Sequence, residues 1–162
     1  MTKPNRVVRQ IQPLHKLPSW LFSFVSSFAF NRLVPFSRTA GQKFVRWDHT
    51  GVEIFLKNRK KVQNHIKTPH AAAMVLAAET ASGAAMAWFL PDDKLPLIKN
   101  MDVAFVKRAS GDISAVASIT PEQIAAMENE EKGSFWVEVT ITDAVAIEPV
   151  IAKMEWAWIT KR

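Results

Sequence analysis

Apolar residues recur along the chain with two periods, and the change from one to the other marks its elements. Residues 1–18 carry basic residues and Pro4, Pro13 and Pro18 without a sustained apolar period, so they read as an arm or loop. Residues 19–33 predict a helix: Ser19 stands ready to cap it, Leu21, Phe24, Val25, Phe28 and Phe30 supply apolar bulk, and Pro35 stops it. Val52, Ile54 and Leu56 then alternate with Glu53 and Lys57, the two-residue period of a half-buried strand. Strands over 43–48 and 52–57 would meet at the turn Asp48-His49-Thr50-Gly51. After a polar loop from Asn58 to Pro69, a helix is predicted from His70 to about Phe89, with Thr68 as its cap and Pro69 at its first position.

That helix is apolar nearly all round and rich in alanine, so it must be buried on most sides. Its small side chains suit close approach of a sheet. Four further strands are predicted over 98–108, 112–119, 134–143 and 146–159, with a short helix within Thr120–Glu130 and a hinge near Asp143 and Ala144. The run Phe135-Val137-Val139-Ile141 has the alternation of an antiparallel sheet. The expected class is α+β: a hotdog fold, in which a curved antiparallel sheet wraps one long helix. It forms a single domain over 1–162, with an N-terminal arm and helix over 1–38 and the hotdog core over 39–162.

Composition narrows the chemistry. At 162 residues, 48% hydrophobic and 22% charged, the chain is an ordinary globular sequence able to bury a core. It has no cysteine, which removes disulfides and thiolate chemistry and fits a reducing, cytoplasmic setting. The net charge of +6 favours anionic partners: nucleic acid, a membrane surface or a phosphorylated small molecule. The apolar stretch from Trp20 to Phe30 is too short to span a bilayer. It is followed by Asn31 and Arg32 rather than by a small-residue cleavage site, so it reads as a helix packed on the domain and not as a signal peptide. No aromatic-basic motif of a base-reading protein is present, and the four histidines lack metal-ligand spacing.

The segment Asn64-His65-Ile66-Lys67-Thr68-Pro69-His70-Ala71-Ala72-Ala73, followed by Glu79, resembles the signature of hotdog acyl-CoA thioesterases related to phenylacetyl-CoA thioesterase. Those proteins carry an Asn, a His-Gly-Gly at the helix start, and an acidic residue within the helix. Pro35-Phe36 before Thr39-Ala40-Gly41 looks like a branch of the superfamily catalogued only as a domain of unknown function. Two departures stand out. The two glycines are Ala71 and Ala72 here, and Ile98 occupies the place where some members put a Ser or Thr.

The resemblance implies hydrolysis of a coenzyme A thioester between two subunits, with no further cofactor. Glu79 would act as general base or nucleophile. Asn64 and His70 would assist, and the Ala71 and Ala72 end of the helix would meet the oxyanion. Read without the family, Glu79 could instead pair with an arginine or cap a partner's backbone as a structural acid, Asn64 be a turn residue, His70 a plain helix-entry residue and His65 a loop residue. The basic runs containing Arg59 and Lys60, and Lys107 and Arg108, are candidates for the phosphates of coenzyme A, or are solvated turns. A homodimer or tetramer is expected, with no nucleic acid, no metal and no membrane insertion. The alternative to an enzyme is a non-catalytic hotdog protein that binds an acyl group or lipid. A hydratase is a third reading, but no Asp stands at short spacing from His65 or His70.

Overall fold

The computed structural model describes residues 4–161. Six strands form one antiparallel sheet: β1 (Lys43–Asp48), β2 (Gly51–Leu56), β3 (Lys94–Phe105), β4 (Ile113–Ala117), β5 (Gly133–Asp143) and β6 (Val150–Thr160). Their order is β1-β2-β4-β5-β6-β3, so β1 and β3 are its two edges. The long helix α4 (Ala71–Phe89; the shorter helices follow) touches every strand, and Ala77, Ala78, Ala81 and Met86 on it are shielded from solvent. This is the hotdog arrangement. Helix α4 has the length and hydropathy to cross a bilayer, yet the sheet covers most of its surface.

Small residues on α4 set how closely sheet and helix meet. Gly83 packs under the Trp156 ring of β6, where a Cβ would stand 2.6 Å from a ring carbon. The same indole donates to Ser82 Oγ at 2.9 Å, and Trp47 Nε1 of β1 donates to the Ala84 carbonyl at 3.1 Å. Two tryptophans thus spend their only polar atoms on one turn of the helix, as buried indoles require.

The remaining helices are α1 (Arg6–Ile11), α2 (Ser19–Leu33), α3 (Pro35–Ala40) and α5 (Pro121–Asn129). The expected loop over 1–18 is therefore helical from Arg6, followed by a 3-10 turn over Gln12–Lys16. Tertiary contacts account for this. The Asn5 side chain accepts from the Val8 N–H at 2.9 Å and donates to the carbonyls of Ala87, Trp88 and Leu90 at 3.0, 3.0 and 2.7 Å. Asp92 receives the Arg6 N–H at 2.6 Å and pairs with Arg9 at 2.8 Å, placing a carboxylate at the start of α1. Pro35 ends α2 as expected but also opens α3 at its first position, a place where its missing N–H is not needed. Pro18, not Ser19, occupies the cap position of α2.

The strand boundaries also shift. β3 begins at Lys94 instead of residue 98, because Pro96 is tolerated on an edge strand. β6 begins at Val150 instead of 146, after a loop organised by Asp143, which accepts the N–H groups of Ser110, Val145 and Ile147 at 2.9, 3.0 and 3.0 Å. Burial pushes the Asp143 pKa up, but the backbone donors of Ile147, Ser110 and Val145 outweigh it and hold the acid below its ordinary value.

Candidate functional site

The entry to α4 differs from the sequence expectation. Thr68 does not cap the helix; its hydroxyl accepts from Asn64 Nδ2 at 2.8 Å, while Pro69 bridges back to Gln63 in extended conformation. His70 is the cap, and its Nδ1 accepts the Ala72 N–H at 3.0 Å. That bond requires a neutral ring with an unprotonated Nδ1. The Ala73 and Met74 N–H groups turn to the His70 carbonyl. The Ala71 N–H is left with no acceptor among the described residues, at the positive end of a 19-residue helix.

The Asn64 side chain is engaged within its own turn. Besides donating to Thr68, its oxygen accepts the N–H groups of Ile66 at 3.0 Å and Thr68 at 3.1 Å. The loop also contains Lys67 at a positive φ of 61°. Asn64 thus shapes the approach to the helix start, and His65 stands exposed beside it.

Along α4, Ala72, Val75, Glu79, Gly83 and Ala87 form the one incompletely buried stripe. Gly83 faces Trp156, so this side of the helix overlooks β6 and the edge strand β3. Glu79 is half-buried there, and its carboxylate has no hydrogen bond or ion pair among the described residues. No arginine or lysine of the described chain pairs with it. Burial raises its pKa above the ordinary 4.5. An unpaired, half-buried acid with a raised pKa is a proton acceptor of the kind found in catalytic sites.

The sheet is open on the same side. Met101 and Phe105 of β3 stand opposite Met154 and Val150 of β6, which are buried, yet they are 40% and 50% exposed themselves. Leu95 and Leu97, on the other face of β3, are also exposed. The free edge of a 12-residue strand is therefore flanked by uncovered apolar side chains on both faces. Sequence reasoning missed this feature; the early strand start at Lys94 hid its length. Ile98 lies within β3 opposite Trp156, partly buried against the core.

The two basic runs come to one end of the molecule. The Asn58 N–H donates to Asp112 Oδ1 at 2.8 Å, which ties the loop after β2 to the loop after β3. Lys60, Lys107 and Arg108 are exposed on these loops and have no carboxylate partner among the described residues. Arg59 instead donates to the Ala40 carbonyl at 3.0 Å and lies over Gly41.

The model of a family described as a domain of unknown function, DUF4442, matches residues 21–159. Among solved structures, a Pseudomonas aeruginosa protein described as a probable thioesterase superposes with a TM-score of 0.77 at 21% identity, covering 90% of this chain and 97% of that one. A Chlorobaculum tepidum protein of unknown function gives a TM-score of 0.71 at 14% identity, covering 90% and 98%. A Haemophilus influenzae thioesterase gives 0.66 at 13% identity, covering 81% and 88%. These likenesses are of fold. No curated protein matches the sequence.

Proposed function

The chain belongs to the DUF4442 family, and from that premise we propose that it is a thioesterase that hydrolyses an acyl- or aryl-coenzyme A at a site completed by two subunits. The observation that carries the reading is Glu79, an unpaired half-buried carboxylate on the uncovered stripe of α4. It is supported by the free Ala71 N–H and by fold neighbours described as thioesterases.

Helix geometry supports a site shared by two subunits. Glu79 follows Ala71 by eight positions, about 12 Å along the axis at 1.5 Å per residue. Within one chain the two groups stand far apart for a single carbonyl to meet both. A second copy docked antiparallel along the free edge of β3 would bring Glu79 of one subunit toward the helix entry of the other, and would cover Leu97, Met101 and Phe105. Glu79 then takes a proton from water as the oxygen adds to the thioester carbon. The developing oxyanion is held by the partner subunit's Ala71 N–H. The C–S bond breaks, and coenzyme A leaves as a thiolate that takes up the proton. Glu79 attacking directly, with a mixed anhydride then hydrolysed, fits the same arrangement. His70 fixes the helix entry, Asn64 shapes the loop before it, and Lys60, Lys107 and Arg108, with Arg59, supply cationic contacts for the phosphates. The cytoplasm suits both this substrate and a chain without cysteine.

One observation favours the alternative of a non-catalytic acyl or lipid binder. The Ala72 N–H is already spent on His70, and the Ala71 and Ala72 methyls stand where the family signature has glycines. Release of free thiol from a panel of coenzyme A thioesters tests the enzyme reading. The wild type is expected to turn over, and Glu79→Ala to lose roughly 10²–10⁴ in kcat, the usual worth of a positioned base. A wild type inert across the panel, with an acyl ligand retained in native mass spectrometry, would give the site to binding instead.

A further inference from the structure

The outer face of α2 carries an exposed aromatic surface that the thioesterase reading does not use. Trp20, Phe24 and Phe28 are 71%, 66% and 62% exposed. At four-residue spacing they form one stripe along the helix, drifting by about 40° per step. Phe24 and Phe28 stack with ring centroids 6.4 Å apart. The inner face is packed on the protein by Phe22 and Phe30, with Ser26 and Ser27 buried between them; Ser27 Oγ accepts the Phe44 N–H at 2.8 Å. Bulky rings thus point to solvent as well as to the core. A helix apolar all round belongs in an apolar environment on every side, but the protein covers only one side of this one. Phe36 of α3, 66% exposed, extends the patch.

The charges around the patch say what covers it. Before Asp48 the sequence holds eight Lys and Arg and no Asp or Glu, whereas the rest of the chain has slightly more acidic than basic residues. Arg9 and Arg46 are paired with Asp92 and Asp48. Arg32, Arg38 and Lys43, at or beside the patch, have no carboxylate partner among the described residues. Lys43 lines an open groove with the three rings. A second copy of the chain placed face to face here would set these cations against their own kind. An anionic surface of apolar interior satisfies both features at once.

We propose that the α2–α3 face docks on anionic lipid bilayers, with Trp20, Phe24 and Phe28 at the headgroup boundary and Arg32, Arg38 and Lys43 on lipid phosphates. Rings of this kind settle at membrane interfaces, and basic residues near an anionic leaflet add attraction that salt weakens. No spanning segment is involved. Because α2 packs on β1, at the opposite edge of the sheet from β3, pairing through β3 leaves this face free on both subunits and doubles its valency.

Co-sedimentation of the full-length protein with vesicles of phosphatidylcholine, alone or mixed with phosphatidylglycerol, tests this. Binding is expected only to the mixed vesicles, and should weaken as salt rises. The triple variant Trp20→Gln, Phe24→Gln, Phe28→Gln should bind at least about tenfold more weakly. So should Arg32→Gln with Arg38→Gln, both with unchanged circular dichroism and melting. The proposal fails if the wild type ignores mixed vesicles at low salt, or if the triple variant binds them as well as the wild type. It fails equally if the triple substitution shrinks an oligomer of vesicle-indifferent protein, which would make the patch a contact between copies. Thioester turnover is a separate readout, since none of these residues belongs to the catalytic site.

Discussion

In the proposed reaction, Glu79 concentrates the chemistry of the site in one side chain. It was legible in the sequence because a lone acid among alanines has no reason to be there unless paired or used. Its isolation was not legible, since pairing depends on which strands reach it. Burial raises its folded pKa, so the folded protein holds this proton more tightly than the unfolded chain. The stability tied to that proton is whole below the ordinary carboxylate value and is lost as pH rises through the raised one. Glu79→Gln removes the loss. The variant should melt with the wild type in acid and higher than it at neutral pH, by an amount kept small by the partial exposure of the site. Thermal melts across pH 3–8 check this, and an offset that does not vary with pH would contradict it. The His70 cap lay beyond sequence reasoning for a related cause. Thr68 is the better cap by residue type, but its hydroxyl is taken by Asn64, a contact set by the folded loop.

Among elements, the regular strands and helices and the short α5 were read closely, and the short α1 and α3 were not. Helix α2 and the β1–β2 hairpin carry their own periodicity and turn residues, and they appear within a residue or so of expectation. Helix α1 has a weak pattern and depends on its neighbours. Asn5 begins α1 through its oxygen and closes α4 through its nitrogen, so one side chain joins two helix ends 82 to 85 residues apart in sequence. Asn5→Ala should cost about 2–3 kcal/mol, a lost cap plus unmet carbonyls. Asn5→Asp should cost more, although it keeps the cap on α1, because a carboxylate would face the α4 carbonyls. Urea unfolding at neutral pH ranks the two, and equal losses would argue against the bond to α4.

For the molecule as a whole, the question is what completes the site. Ala71→Pro deletes the free N–H at a helix position that accepts proline, and His70 already has the extended backbone that proline requires before it. This variant should fold and melt as the wild type does, with kcat reduced by about 10²–10³. Mixing it with Glu79→Ala under conditions that exchange subunits should restore activity toward one quarter of wild type. In the mixed dimer one site keeps both intact groups. Two inactive variants that remain inactive when mixed would place both groups in one chain's site and overturn the shared-site geometry. The architecture itself was legible because a long apolar helix followed by alternating strands has few ways to be buried. The open edge of β3 was not, since Pro96 interrupts the pattern just where the strand begins.

The contact between Gly83 and Trp156 also constrains the history open to this chain. A glycine inside a helix is about 1 kcal/mol worse than alanine, so drift favours its loss. The indole blocks that drift, because a methyl group would stand 2.6 Å from its ring. The two positions can change only in order, the ring shrinking first and the glycine filling in afterwards. A lineage that takes the first step leaves the Ser82 hydroxyl without its indole donor and loosens the sheet beside Glu79. Each of the two positions therefore holds the other in place, and together they keep the helix close against the sheet beside Glu79.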